Sequence, residues 1–334
     1  MSKQWTREEV LELARSFQPA CVLAAAADLD IFSRLTTRPL TAEETAKAVA
    51  GDIRATTILL DALAALKLLD KQGARYSVPP GLVSILTEQG TSSVLAMAQH
   101  QSNCLRRWAQ LAWVVKNGRP AERSPSIRGE EADAASFIGG MRNLSTPLAG
   151  KVIREIRPLV FRHLLDVGGA SGTWTLAFLD ACPEGKATLF DLPHVLPMAK
   201  QFLTEEGVID RVRLVGGDYQ VDRLPRGTDL AWVSAIVHQN SRAQNQALFA
   251  QVFQSLEPDG RLAIRDILME PSRILPVAGA LFAVNMLVGT ESGGTFTFEE
   301  LKADLEGMGF QEVAVARRDE GMNSIVTAKK PSHS

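Results

Sequence analysis

The apolar positions of this chain follow two rhythms, and the change between them divides it. Through the first hundred residues they recur at helical spacing. Residues 20–35 read as a small-residue apolar helix, and 55–69 repeat leucines every three or four positions. Between them Thr41-Ala42-Glu43-Glu44 has the form of a capping box, which starts another helix. Residues 70–78 predict a short hairpin, giving helix, helix, helix and wing. Helical character continues through 94–116 and 132–157, with a Gly/Pro/Ser loop at 117–126. Beyond that, short apolar runs alternate with helices, and strands are expected at 164–168, 186–190, 212–215, 229–234, 260–266, 312–316 and 323–328. Such alternation implies a parallel α/β sheet covered by helices on both faces, with ligands bound beyond the carboxyl ends of its strands. The expected domains are a winged-helix-like unit over 1–100, a helical linker over 101–155 and the sheet domain over 156–334. The boundary falls near 151–158.

Composition narrows the possibilities. Apolar residues make up 46% of the 334 and charged residues 22%, as in an ordinary globular enzyme. Thirty-six basic and 38 acidic side chains leave a net charge of −2, so no overall attraction to nucleic acid or anionic lipid is expected. The first twelve residues are charged and amphipathic, without the apolar core of a signal peptide. No consecutive apolar run reaches the roughly 18 residues that span a bilayer, and a cytoplasmic protein without membrane partners is expected. Three widely spaced cysteines, Cys21, Cys104 and Cys182, fit reduced thiols better than disulfides or zinc ligands. Five histidines without paired spacing give no metal site. The winged-helix order suggests a DNA-binding regulator as a rival reading. The helix over 52–69 that would enter a groove carries only Arg54 and Lys67 as bases, which weighs against it. An apolar helical domain without a basic face is better suited to pairing with a second copy as a homodimer.

Chemistry concentrates at the strand ends. Leu164-Leu165-Asp166-Val167 runs into Gly168-Gly169-Ala170-Ser171-Gly172, a small-residue turn that lets a ligand approach backbone and the next helix N-terminus. The spacing matches neither a dinucleotide fingerprint nor a phosphate loop. It matches the acidic-x-G-x-G-x-G pattern of enzymes that bind S-adenosylmethionine (SAM), with Ala170 in place of the middle glycine. About 20 residues on, the second strand ends in Asp191 and Leu192, where a ribose-binding acid belongs, unless Asp191 only caps the turn before Pro193. The third ends in Gly217-Asp218-Tyr219, a carboxylate and an aromatic face suited to adenine.

The fourth strand passes Ser234 and runs into His238, and the fifth ends in Asp266. If the two strands are neighbours, imidazole and carboxylate project into one crevice as a general base and its orienter. A satisfied loop histidine, or an Asp266 salt-bridged to Arg265, is the plainer alternative. A phenol, with a pKa near 10, is mostly protonated at neutral pH, so a base of this kind suits methyl transfer to a phenolic oxygen.

The glycine turn, Phe190-Asp191-Leu192-Pro193-His194-Val195, and the stretch from His238 through Leu256-Glu257-Pro258-Asp259-Gly260-Arg261 to Asp266 resemble the small-molecule O-methyltransferases of the caffeic-acid and acetylserotonin type. The resemblance covers most of the chain. It implies a Rossmann-like class I SAM methyltransferase sheet behind a mostly helical winged-helix dimerisation domain, and a homodimer. It also implies that His238 is the catalytic base with Asp266 in place of a family glutamate. The cofactor residues become Asp166, Gly168, Gly169, Gly172, Asp191, Leu192, Gly217, Asp218, Tyr219 and Ser234, while Phe137, Met141 and Met286 line the pocket of a small aromatic acceptor. Taken alone, Met and Phe at helical spacing are more often core. Gln239-Asn240 replaces the family's Asp-Trp, Thr295 stands where a second glutamate precedes an Arg-Thr pair, and Ser234 occupies a position often held by lysine. These departures leave open an enzyme of the same fold that methylates S, N or C, or keeps SAM for other chemistry.

Overall fold

A computed structural model describes residues 3–88, 90, 92–156 and 159–332. The chain forms two compact units. One runs to Ala109 and takes in Arg123–Leu144; the other is Gln110–Glu122 and everything from Ser145. Arg157 and Pro158, at the end of the expected domain boundary, lie outside the described residues, as do Met1 and Ser2 of the charged N-terminus.

The first unit is helical apart from a small antiparallel sheet. Its helices include Phe17–Asp28, Ala42–Ala48, Ile53–Ala65, Leu95–Trp108 and Glu130–Ser145. Thr41 closes the capping box: Glu44 N–H donates to Thr41 Oγ1 at 3.1 Å, and Thr41 N–H donates to Glu44 Oε2 at 2.8 Å. The hairpin consists of Asp70–Gln72 and Arg75–Ser77, and Leu40–Thr41 joins it as a third strand. Phe32, Leu60, Leu63 and Tyr76 fill the core between helices and wing.

Two helices end earlier than the apolar spacing implies. The one expected over 20–35 breaks after Asp28, where Asp30 takes a left-handed conformation at φ 55°, and a separate turn follows at Ile31–Arg34. The one expected over 55–69 stops at Ala65, with Lys67 at φ 62°. In both cases a leucine beyond the break, Leu35 or Leu69, still packs inward, so periodicity persists where the helix does not. Beyond the charged, amphipathic residues 1–12 the N-terminal stretch turns apolar. Arg7–Asp28 spans 22 residues and contains an 18-residue window with a mean hydropathy of 1.2, long and apolar enough to cross a membrane by length and composition alone. Val10, Leu13 and Phe17 along it are exposed.

The second unit is built on a seven-stranded sheet. Its strands are β1 (His163–Val167), β2 (Lys186–Asp191), β3 (Val212–Gly216), β4 (Thr228–Ser234), β5 (Leu256–Asp266), β6 (Gln311–Arg317) and β7 (Ser324–Lys329). The spatial order is β6-β7-β5-β4-β1-β2-β3. Strands β1 to β5 are mutually parallel, so their carboxyl ends share one edge. The sheet is not parallel throughout, because β7 runs antiparallel to both β5 and β6. No helix separates β6 from β7. The connection is a tight turn in which Asp319 accepts hydrogen bonds from Gly321 and Asn323 N–H, so the chain must reverse rather than cross over. Apolar clusters cover both faces. One centres on Trp232, Phe178 and Leu189, the other on Val233, Phe249, Ile264 and Leu305.

Candidate active site

Five parallel strands deliver their ends to one edge, and each end carries a group suited to a ligand. After β1 the turn is tight: Gly168 (φ 67°), Ala170 (φ 48°) and Gly172 (φ 83°) are all left-handed before the helix Thr173–Ala181 begins. The two glycines adopt this at little cost. Ala170 carries strain that a glycine would not. Gly169 is small because its neighbours are close: a Cβ there would lie 2.6 Å from Leu189 and 3.0 Å from Asp166 Oδ2.

Asp191 ties this turn to the next strand. Its Oδ2 accepts from Ala170 N–H at 2.8 Å and its Oδ1 from Leu192 N–H at 2.7 Å. A carboxylate has about four acceptor positions, so others remain for a vicinal diol. Burial pushes the Asp191 pKa up, and the two N–H donors oppose that shift. Asp166 lies one turn beneath, fully buried, with Thr175 Oγ1 donating to it at 2.6 Å. Burial raises its pKa to about 7, helped by the neighbouring charge of Asp191 and opposed by Thr175.

Gly217 follows β3, where a Cβ would come within 2.7 Å of the Phe190 ring. Asp218 shapes its own loop. Its Oδ1 accepts from Gln220 N–H at 2.9 Å, and its N–H donates to Asp222. The Tyr219 hydroxyl donates to Asn240 Oδ1 at 3.2 Å, and burial raises its pKa. Ser234, the last residue of β4, accepts from Arg265 Nη1 at 3.1 Å. Arg265 is buried over the Trp174 ring at 4.4 Å, and that burial lowers its pKa to about 10.

The strongest convergence is at β4 and β5. Parallel pairing places Ser234 opposite Arg265, and a turn at Val237–Gln239 carries His238 over the end of β5. His238 Nδ1 stands 2.9 Å from both oxygens of Asp266, and both residues are buried. Asp266 is held in turn by Ile267 N–H at 2.8 Å and His238 N–H at 3.4 Å. Its partner is therefore the imidazole and not Arg265. With Nδ1 committed to the carboxylate, Nε2 is the ring nitrogen left to take a proton.

Several contributors were not singled out from sequence. Phe282, on the helix Val277–Gly289, sets its ring edge-to-face with His238 at 4.8 Å. Gly294 N–H donates to the His238 carbonyl, and a Cβ on Gly293 would lie 2.5 Å from that oxygen. The Gly293-Gly294 pair was the available signal for this closure. Asn240 donates to Asn245, which donates to the Val237 carbonyl at 2.9 Å, so Asn240 joins a buried network, while Gln239 is exposed and donates to the Ala235 carbonyl at 3.1 Å. Thr295 is buried, with Arg273 donating to its carbonyl. Met286 lies on the same helix as Phe282 in the second unit. Phe137 and Met141 lie on the helix Glu130–Ser145 of the first.

Two family models account for this arrangement. The O-methyltransferase domain matches residues 108–311, and the O-methyltransferase dimerisation domain matches residues 11–80. This chain belongs to the O-methyltransferase family. It is 28% identical over 329 residues to the tetracenomycin polyketide synthesis 8-O-methyl transferase TcmO of Streptomyces glaucescens, covering 97% of this chain and 96% of that one. It is 28% identical over 328 residues to the 3-hydroxy-5-methyl-1-naphthoate 3-O-methyltransferase of Streptomyces sahachiroi, covering 96% and 94%. The crystal structure of human N-acetylserotonin methyltransferase in complex with SAM superposes with a TM-score of 0.81 at 24% identity over 99% of this chain and 100% of that one, a likeness of fold. The protein is a SAM-dependent methyltransferase with the class I fold. Among the described residues no group of three His, Cys, Asp or Glu could hold a metal ion.

Two outcomes follow from the glycine turn. Asp166 titrates near pH 7 when folded but near 3.8 when unfolded, so the folded chain holds the extra proton between those values and stability falls as pH rises from about 4 to 7. Asp166→Asn should flatten that fall in melting temperature, measured from pH 5 to 8. Ala170→Gly should raise stability by up to about 1 kcal/mol in urea titrations, because relief of left-handed strain outweighs the added unfolded-state entropy.

Proposed function

We propose that this methyltransferase acts on a phenolic hydroxyl of a small aromatic metabolite, with His238 as general base and Asp266 as the carboxylate that orients it. The observation that carries the reading is the 2.9 Å contact of His238 Nδ1 with both Asp266 oxygens at the edge where the cofactor loop ends. Bound SAM supplies an electrophilic methyl group on a sulfonium. Asp191 is assigned to the ribose hydroxyls, with Asp166, Gly168, Gly169, Gly172 and Leu192 shaping the wall around them. Gly217, Asp218 and Tyr219 are assigned to the adenine side, and Ser234 to the base of the site. Spare acceptor positions on Asp191 and the aromatic face of Tyr219 fit a nucleoside.

His238 Nε2 withdraws the phenolic proton as the oxygen becomes nucleophilic, and Asp266 stabilises the resulting imidazolium. With Thr295 in place of a second carboxylate, Asp266 does this alone. Phe282 covers one edge of the imidazole and excludes water there. Met286, on the same helix as Phe282, is assigned to the acceptor; the aromatic acceptor in the name of the Streptomyces sahachiroi relative supports that substrate class. The dimerisation-domain match and the exposed Val10, Leu13 and Phe17 support a homodimer in which a second copy covers those side chains.

His238→Ala should lower kcat by about 10² while leaving SAM affinity within a factor of two, the loss expected from removing a general base. Unchanged turnover on a phenolic substrate would demote His238 to a structural role. Asp191→Ala should weaken SAM binding by about 1 to 3 kcal/mol in calorimetry, the cost of losing hydrogen bonds to a charged acceptor.

A further inference from the structure

Arg265 stands where three segments of the second unit meet. On β5 it pairs with Ser234 of β4 on one side and Ile325 of β7 on the other, and only 6% of it is exposed. Nη1 donates to Ser234 Oγ at 3.1 Å, while Nε and Nη2 both donate to Asn323 Oδ1, at 3.0 and 2.7 Å. The guanidinium lies over the Trp174 ring at 4.4 Å. Trp174 is the second residue of the helix Thr173–Ala181, two positions past Gly172 of the glycine turn, and its ring also meets Trp232 of β4 at 5.3 Å. The backbone adds a further tie. The Arg265 carbonyl accepts from Ala235 N–H at 2.8 Å, and Ala235, at φ 57°, opens the turn that carries His238.

An apolar side chain would fill this place with less loss of hydration. Among the described residues the hydrogen bonds of the guanidinium go to neutral oxygens. Asp266 and Asp319 attract it and Arg317 repels it, but Asp266 is committed to the imidazole, and Asp319 to Arg317 and two backbone N–H groups. What arginine brings is direction. Its planar fork donates within one plane and stacks on a ring across that plane, whereas the apolar packing that also holds Trp174 with Phe178 and Trp232 favours contact without orientation. One side chain therefore sets the first turn of the helix after the glycine turn against the end of β4. Its neighbour in sequence, Asp266, holds the imidazole.

We propose that Arg265 is a positioning residue for SAM: through Trp174 it holds the glycine turn and the start of the following helix in the shape that receives the cofactor, aligned with the strand that leads to His238. This rests on the assignment of the glycine turn to SAM. The test measures binding of S-adenosylhomocysteine to the full-length protein by calorimetry, at a temperature where circular dichroism shows each variant folded. Arg265→Met should weaken binding about tenfold, and Arg265→Lys, which keeps the charge without the planar fork, about threefold. Trp174→Leu should also weaken it about tenfold, and combining Arg265→Met with Trp174→Leu should add little beyond that, because the two side chains act as one unit. Asn323→Ala, in the turn between β6 and β7, leaves the apolar clusters intact and should weaken binding about threefold by releasing the fork. Unchanged affinity in Arg265→Met or, should that variant not fold, in Asn323→Ala overturns the proposal, even where the melting temperature falls. Losses that multiply to about a hundredfold in the double variant overturn it too, since they mark two separate structural roles. Asp191→Ala is the control. If it also binds like the unaltered protein, the assignment of this edge to the cofactor fails; if it alone loses affinity, only the role of Arg265 falls.

Discussion

Everything at the strand edge depends on the pairing of His238 with Asp266, and that pairing depends on β4 and β5 being parallel neighbours in one register. Shift that register by a residue and the carboxylate turns to the other face of the sheet. Asp266 also receives two backbone N–H groups, so a single side chain holds the end of β5, the His238 turn and the imidazole tautomer together. The other half of the edge repeats the device. Asp191 joins the glycine turn after β1 to the end of β2, so the two halves of the edge are each pinned by one acid.

Much of this was legible in the sequence because strands in a parallel sheet are continuous apolar runs whose ends are marked by small or acidic residues. All seven strands of the large sheet lie where the apolar runs put them, to within a few residues. Neighbouring strands in such a sheet bring their terminal residues together, so the approach of His238 to Asp266 could be anticipated from position alone. The antiparallel turn at the far edge was not legible, since an apolar run of six or seven residues carries no direction. Nor were the breaks at Asp30 and Lys67, because left-handed conformations in non-glycine residues leave little trace in apolar spacing. Phe282 and the pairing of His100 with Phe137 were hidden for another reason. Each joins residues dozens of positions apart through the packing of helices.

The departures from the family pattern have separate structural accounts. Asn240 and Asn245 form a closed chain from the Tyr219 hydroxyl to the backbone beside His238, filling with polar contacts the place where the family has a tryptophan. Thr297, two residues beyond the missing glutamate, caps the helix Phe298–Gly307 through Glu300. That stretch therefore serves the fold, and the carboxylate chemistry is left to a single acid.

The reversed strand β7 has a mechanical consequence. It pairs with β5 along Arg261 to Asp266, up to the acid itself, while β4 holds the other flank. Asp266 is thus clamped from both sides, like a central stave and not a rim. Off the sheet, the His238 ring is bordered by Phe282 of the helix Val277–Gly289, so the two strands fix the acid while a helix meets the ring.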